Sequence, residues 1–101
     1  MRINTLWRIF LISIGVRNMS QLVRSPKQLG AALRRFRRSR RMTQADLAKD
    51  AGIRQGTVSQ VEGGLETVKL RTVMDILRTL DLELVVQPRT KGNSQDIEDI
   101  F

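Results

Sequence analysis

Apolar residues recur at helical spacing through the middle of the chain, and the first repeat follows a strong helix start. Three apolar residues stand at i, i+4 and i+7: Leu29, Leu33 and Phe36. This is the spacing of one helix face. Ser25 suits the N-cap position, and Pro26 suits the first helical position, where a missing N–H costs nothing. The pattern predicts a first helix over residues 26–40.

A second, shorter helix is predicted over residues 44–50. Thr43 precedes it and suits the N-cap. Asp46 lies in the first turn, where a negative charge is favoured by the positive end of the helix dipole. Gly52 follows at the position where helices commonly end in a left-handed residue.

Two further helices are predicted, and they differ in how much of their surface is apolar. Residues 55–62 carry a narrow apolar side formed by Val58 and Val61, and a Gly-Gly pair ends the helix. Residues 69–80 carry a broad apolar face. That face comprises Leu70, Val73, Met74, Leu77 and Leu80.

The helical pattern of apolar residues stops after the fourth helix. Residues 82–87 are rich in β-forming residues, and Pro88 ends the run. A single strand has no ladder partner within a helical chain, so we expect it to pair with its own copy in a homodimer. The residues expected in that contact are Leu82, Leu84, Val85 and Val86. Residues 88–101 are polar, end in an acidic stretch and predict a flexible tail.

Residues 1–18 differ from the rest of the chain, since they are apolar and contain the only tryptophan. A signal peptide is one interpretation, but Arg8 interrupts the apolar core and no A-x-A-like cleavage site follows. The run is also too short and too charged for a membrane span. An accessory helix is a second interpretation. The third, which we favour, is that Met19 is the natural start, so that the helical domain spans residues 19–81.

Net charge and amino-acid composition limit the kinds of function that the protein can have. The chain carries 18 Lys and Arg against 10 Asp and Glu, a formal charge of +8, which favours a polyanionic partner. Eight of the basic residues fall between positions 24 and 41, where no acid occurs. Histidine and cysteine are absent, so the commonest general base, the usual zinc ligands and thiolate chemistry are missing. We therefore expect a nucleic-acid-binding protein with no catalytic residues, no metal and no cofactor, rather than an enzyme.

A motif within residues 43–64 gives this expectation a specific form. Two short helices joined by a glycine turn, the second rich in small polar residues, predict a helix-turn-helix. The sequence TQADLAKDAGIRQGTVSQVEGG resembles the Xre-type motif of the lambda-repressor-like family. The matching positions are Thr43, Gln44, Leu47, Ala48, Gly52, Ile53, Val58, Ser59, Glu62, Gly63 and Gly64. The resemblance implies an all-α fold of four to five helices in which residues 19–81 bind DNA.

The residues expected to meet DNA follow from this docking mode. Arg side chains bond to guanine and Gln side chains to adenine in the major groove. The expected base contacts lie on or just before the third helix and are Arg54, Gln55, Gly56, Thr57, Ser59 and Gln60. The N-terminus of the second helix and the arginine-rich first helix suit phosphates. The expected phosphate contacts are Thr43, Gln44, Arg38, Arg41 and Gly63.

The resemblance also implies structural roles. In the family, the residue equivalent to Gln44 contacts the DNA backbone and braces the recognition helix. An Arg late in the first helix commonly pairs with the Glu that ends the recognition helix, and Arg37 and Glu62 match those two positions. The resemblance therefore implies a structural ion pair between Arg37 and Glu62.

Outside the motif the chain is similar to the HipB antitoxin group. The opening SPKQL, which begins at Ser25, and the exit LDL, which begins at Leu80, match that group. The resemblance implies a homodimer that binds double-stranded operator DNA, represses its own operon, and is cytoplasmic and associated with the nucleoid. It also implies a HipA-like serine/threonine kinase toxin as a partner that the antitoxin neutralises. We expect Ile97, Ile100 and Phe101 of the tail to anchor on that partner.

Two alternatives remain open at this point. A stand-alone phage or plasmid repressor of the Xre type would share the fold and the DNA contacts but would need no kinase. A basic membrane-associated protein would use residues 1–18 together with the arginine-rich helix. The favoured interpretation involves no small-molecule substrate and no membrane.

Overall fold

A computed structural model describes residues 20–90 of the chain. Four helices lie within that range: α1 Pro26–Ser39, α2 Gln44–Ala51, α3 Gln55–Glu62 and α4 Leu70–Thr79. Their ends agree with the predicted ends to within one residue, and α3 agrees at both ends. The predicted all-α class is therefore confirmed for the described part of the chain. No helix in that part is long and apolar enough to cross a membrane.

Side-chain caps begin the first two helices. Ser25 Oγ accepts the backbone N–H of Gln28 at 3.1 Å, and Pro26 lies in the first turn of α1. Before α2, Thr43 Oγ1 accepts the N–H of Asp46 at 3.0 Å, and the Asp46 carboxylate accepts the N–H of Thr43 at 2.9 Å. This reciprocal capping box holds the pKa of Asp46 below its ordinary value, chiefly through the bond from the Thr43 backbone N–H.

The core forms where α2 packs on α3 and α4 while α1 packs on α3. The largest fully buried side chains are Leu33, Leu47, Val58, Ile76 and Leu80. Burial of each large aliphatic side chain contributes roughly 1.5–3 kcal/mol. Gly52 ends α2 with a φ of 72°, the left-handed conformation predicted for it. The resulting turn brings α3 against α2.

A glycine inside α1 lets this helix lie close against the end of α3. Gly30 is buried, and a Cβ at this position would lie 2.4 Å from the carbonyl oxygen of Val61 and 2.6 Å from that of Glu62. Both distances are far below van der Waals contact with a backbone atom, so a larger residue would force the two helices apart. Gly30 was not among the residues singled out from the sequence.

The apolar face predicted for α4 is only partly buried. Val73 and Leu77 are buried, but Leu70 is 67% exposed and Met74 is 46% exposed. Ile76, which was left out of the predicted face, is almost fully buried. The main helical neighbour of α4 is α2, which covers one stripe of α4 and leaves the flank that carries positions 70 and 74 open to solvent.

Residues 82–90 follow α4 without regular secondary structure in this single chain. Leu82 packs against the core, whereas Leu84, Val85 and Val86 are exposed. The segment, α1 and residues 20–24 together line one open groove. A strand exists only when its backbone groups meet a second strand, so pairing across a homodimer stays a prediction.

The predictions for the two ends of the chain concern residues outside the described range. These are the apolar extension, residues 1–18, and the expected partner anchors Ile97, Ile100 and Phe101.

Replacement of Gly30 by Ala should destabilise the protein by about 1–3 kcal/mol, because the new methyl group meets the Val61 and Glu62 carbonyls. The matched control is Gly56→Ala, since a Cβ there meets no atom within 4 Å. That variant should be as stable as the wild type or more stable by up to about 1 kcal/mol, through the higher helix propensity of Ala. Urea denaturation would measure both, and equal stabilisation by the two substitutions would contradict the close packing at Gly30.

The capping box predicts an acid-sensitive contribution to stability. Because the folded-state pKa of Asp46 is lowered, its contribution is fully present above the unfolded-state pKa, about 3.9, and is lost as the pH falls through the folded-state value. Asp46→Asn should therefore melt at a lower temperature than the wild type at pH 7, and the gap should close as the solution is acidified. Melting curves at several pH values would test this, and a gap of constant size would contradict it.

Candidate nucleic-acid interface

The outer face of α3 is polar, and no other element of residues 20–90 covers it. Five of the six residues expected to contact bases are exposed, namely Arg54, Gln55, Gly56, Ser59 and Gln60, and Thr57 is half-buried. On the inner face, Val58 and Val61 are buried in the core. The helix cannot rotate without exposing these two valines, so the polar face points in a fixed direction.

The N-terminus of α3 presents backbone donors to solvent. Arg54 occupies the N-cap in an extended conformation, and its side chain makes no capping hydrogen bond. The N–H groups of Thr57 and Val58 donate to the Arg54 carbonyl at 3.0 and 3.3 Å. The N–H groups of Gln55 and Gly56 precede these bonds and have no carbonyl partner within the helix. This end of α3 therefore suits an acceptor on a negatively charged ligand.

A buried ion pair holds the opposite end of α3. Arg37 Nε donates to Glu62 Oε2 at 2.6 Å, and Arg37 Nη2 donates to Glu62 Oε1 at 3.1 Å, which makes the pairing bidentate. Arg37 Nη1 donates to the Met42 carbonyl at 2.6 Å, and Gln44 Nε2 donates to Glu62 Oε1 at 3.0 Å. The side chains of Arg37 and Glu62 are only 9% and 4% exposed. We call these four residues the Glu62 cluster; it joins α1, α2 and α3 at one point.

The residues expected to contact phosphate lie mainly around the junction of α1 and α2. Arg38, Arg41 and Thr43 are exposed there. Gln44, the first residue of α2, is half-buried because its amide bonds to Glu62. Gly63 lies apart from this group, exposed at the end of α3. Arginine side chains and the N-terminus of α2 thus share one corner of the molecule, which suits a polyanionic backbone.

Sequence analysis did not identify two groups that hold α3 in position. One is Gly30, for which the available signal was a glycine in the interior of an otherwise strong helix. The other is the Met42 carbonyl, which accepts from Arg37. Any residue carries such a carbonyl, so no sequence signal identifies it.

Arg37→Ala should destabilise the fold by about 3–5 kcal/mol, because it leaves the buried Glu62 carboxylate without its charged partner. Arg38→Ala is the matched control, since Arg38 is the exposed neighbour and should change stability by less than about 0.5 kcal/mol. Arg37→Met combined with Glu62→Leu should recover much of the loss, because no charge then stays buried. Urea denaturation of the four proteins gives the comparison, and equal stability of the two arginine variants would contradict the structural role of Arg37.

Comparison with known proteins assigns the chain to a family. The helix-turn-helix domain family matches residues 28–87. The antitoxin HipB of Escherichia coli strain K12 is 36% identical over 78 residues, which cover 77% of this chain and 89% of HipB.

Solved structures give the same result. A chain of a HipB–O4 20-mer complex is 34% identical with a TM-score of 0.67. A chain of a HipA–HipB–O2–O3 complex is 34% identical with a TM-score of 0.66. Each match covers 70% of this chain and 100% of the matched chain. The chain therefore belongs to the helix-turn-helix domain family and, within it, to the HipB antitoxins.

Proposed function

We propose that this protein is a homodimeric, sequence-specific DNA-binding repressor of its own operon and the antitoxin of a HipA-like serine/threonine kinase. The observation that carries the proposal is the exposed polar face of α3, which its two buried valines and the Glu62 cluster hold in one orientation. Solved relatives of the same fold include a HipB–O4 20-mer complex and a HipA–HipB–O2–O3 complex. These relatives favour an antitoxin over a stand-alone repressor.

In the proposed complex, α3 enters the major groove with its N-terminal end towards the bases. The Arg54 guanidinium has the fork geometry that bonds to the O6 and N7 atoms of guanine, and the Gln55 amide matches the N6 and N7 atoms of adenine. A Cβ at Gly56 would meet no atom within 4 Å, so packing within the protein does not require a glycine there. The missing side chain allows α3 to approach the base pairs closely. Thr57, Ser59 and Gln60 complete the base-reading set.

Phosphate contacts fix the position of the domain on the duplex without reading sequence. The N-terminus of α2 directs backbone N–H groups at a phosphate, and Thr43 retains a hydroxyl proton to donate. Arg38 and Arg41 add charge beside it, and Gly63 presents the backbone at the end of α3. The Gln44 side-chain amide donates to the Glu62 carboxylate. The N-terminus of α2, where a phosphate binds, is therefore joined by a hydrogen bond to the end of the recognition helix.

The antitoxin role requires contact with a kinase in addition to DNA. We propose that Ile97, Ile100 and Phe101 anchor on a HipA-like kinase, since three apolar residues close an otherwise polar segment. The complex would act at the nucleoid, where the operator lies, and the protein itself would catalyse no reaction.

Arg54→Ala should weaken operator binding by roughly 1–3 kcal/mol and relax the preference at one base position, because a bidentate base contact is lost. Its effect on random duplex DNA should be smaller.

Arg38→Ala should weaken binding to operator and random DNA by similar factors, and it should lower the slope of log affinity against log salt by about one unit. Titrations at several salt concentrations would measure both variants, with the operator selected from a random duplex library.

Both substitutions lie at exposed positions, so melting curves should show folded proteins with nearly unchanged stability. The base-reading assignment fails if Arg54→Ala weakens operator and random DNA by the same factor. The repressor proposal as a whole fails if selection yields no preferred duplex sequence for the wild-type chain.

A further inference from the structure

The exposed arginines of α1 and of the turn after it have no acidic partner within residues 20–90. Arg34 and Arg38 lie one helical turn apart, and like charges at that spacing repel each other. Arg35 donates to the side chain of Gln21, which is neutral. No carboxylate of the described residues lies within ion-pairing distance of this set, here called the arginine surface: Arg34, Arg35, Arg38, Arg40 and Arg41.

The acids that this surface lacks occur together near the other end of the sequence. Asp96, Glu98 and Asp99 fall within four residues, and no basic residue follows Lys91. Residues 96–101, here called the acidic segment, lie outside the described range. The two parts of the chain carry opposite charge, which favours contact between them.

We propose that the acidic segment binds the arginine surface of its own chain when no DNA is present, and that it competes there with DNA phosphates. The contact requires only the charges of the chain, whereas the competition rests on the DNA binding of the proposed function. The acidic side chains make the contact, so Ile97, Ile100 and Phe101 stay available to a kinase partner.

The position of residue 90 puts the acidic segment within reach of the arginine surface. Thr90 lines the same open groove as Phe36 and Arg40. Asp96 follows Thr90 by six residues, and an extended chain of that length spans about 20 Å. The 14 residues of α1 form a helix about 21 Å long. The three carboxylates can therefore meet the arginines without movement of any helix.

Covalent attachment makes a weak ionic contact effective. An exposed ion pair by itself contributes little to stability. A short linker raises the local concentration of an attached segment to about the millimolar range, so several weak pairs act together. Duplex DNA carries one negative charge per roughly 1.7 Å and can displace three carboxylates. The acidic segment thus reduces the affinity for every duplex by the fraction of chains whose arginine surface is free, and base reading by α3 is unaffected.

Paramagnetic relaxation in the full chain without DNA would detect the contact. Ser94→Cys gives the chain a single thiol beside the acidic segment, and a nitroxide attached there should broaden the amide signals of residues 34–41 at low salt. The matched variant carries the same label together with Asp96→Asn, Glu98→Gln and Asp99→Asn. Its broadening of these signals should be weaker by at least about threefold, because the ionic contact is lost.

Two results of this measurement would overturn the proposal. One is equal broadening by the charged and the neutral segment. The other comes from a mixture in which the nitroxide and the isotope label are on different chains. Broadening of residues 34–41 as strong as within one chain would assign the acidic segment to a second copy.

Titration with random duplex DNA would test the competition. The variant with three neutral side chains should bind at least about threefold more tightly than the wild type at low salt, and the gain should shrink as added salt screens the exposed charges. The control is Asp50→Asn with Asp81→Asn, which removes two exposed carboxylates elsewhere and should change the affinity by less than about twofold.

Equal gains in the two variants would reveal an effect of net charge alone and would overturn the competition, as would an unchanged affinity of the neutral-segment variant. The nitroxide measurement contains no DNA. A wild-type chain that selects no preferred duplex sequence would therefore count against the repressor proposal and not against the intramolecular contact.

Discussion

The bidentate pair between Arg37 and Glu62 is the interaction on which the orientation of α3, the helix expected to read DNA, depends. α3 spans only eight residues, too few for a stable isolated helix, and its apolar side consists of two valines. The two valines restrict the rotation of α3, and the direction of its axis is set mainly by the contacts of Glu62 at its C-terminal end. A buried ion pair adds little net stability, because desolvation offsets most of the Coulomb attraction. The fork geometry of the guanidinium nevertheless restricts the Glu62 carboxylate to one orientation, and α3 ends at that residue.

Gly30 and Arg37 act on α3 from the same side of α1, since they lie seven residues, or two helical turns, apart. The missing side chain of Gly30 lets the α1 backbone approach the Val61 and Glu62 carbonyls, and this approach brings Arg37 within hydrogen-bonding distance of the Glu62 carboxylate. The ion pair of Arg37 thus depends on the small size of Gly30. Gln44 extends the arrangement to α2, so the helix expected to bind phosphate and the helix expected to read bases share one carboxylate.

Charge divides the surface of the domain into regions suited to different partners. The first helix and the turn after it are uniformly basic, which favours a polyanion and disfavours a second copy of the same surface. The region around α4 carries both signs and exposes Leu70 and Met74.

The helix ends and the polar face of α3 could be predicted from the sequence, because caps such as Ser25 and Thr43 act on backbone groups only three residues away. The pairing of Arg37 with Glu62 followed from family resemblance alone, since nothing local relates positions 25 residues apart. The exposure of Met74 and the role of Gly30 were decided by the tertiary structure. Periodicity shows which residues share a helix face, but only the packed neighbours determine how much of that face is covered and where a Cβ has no room.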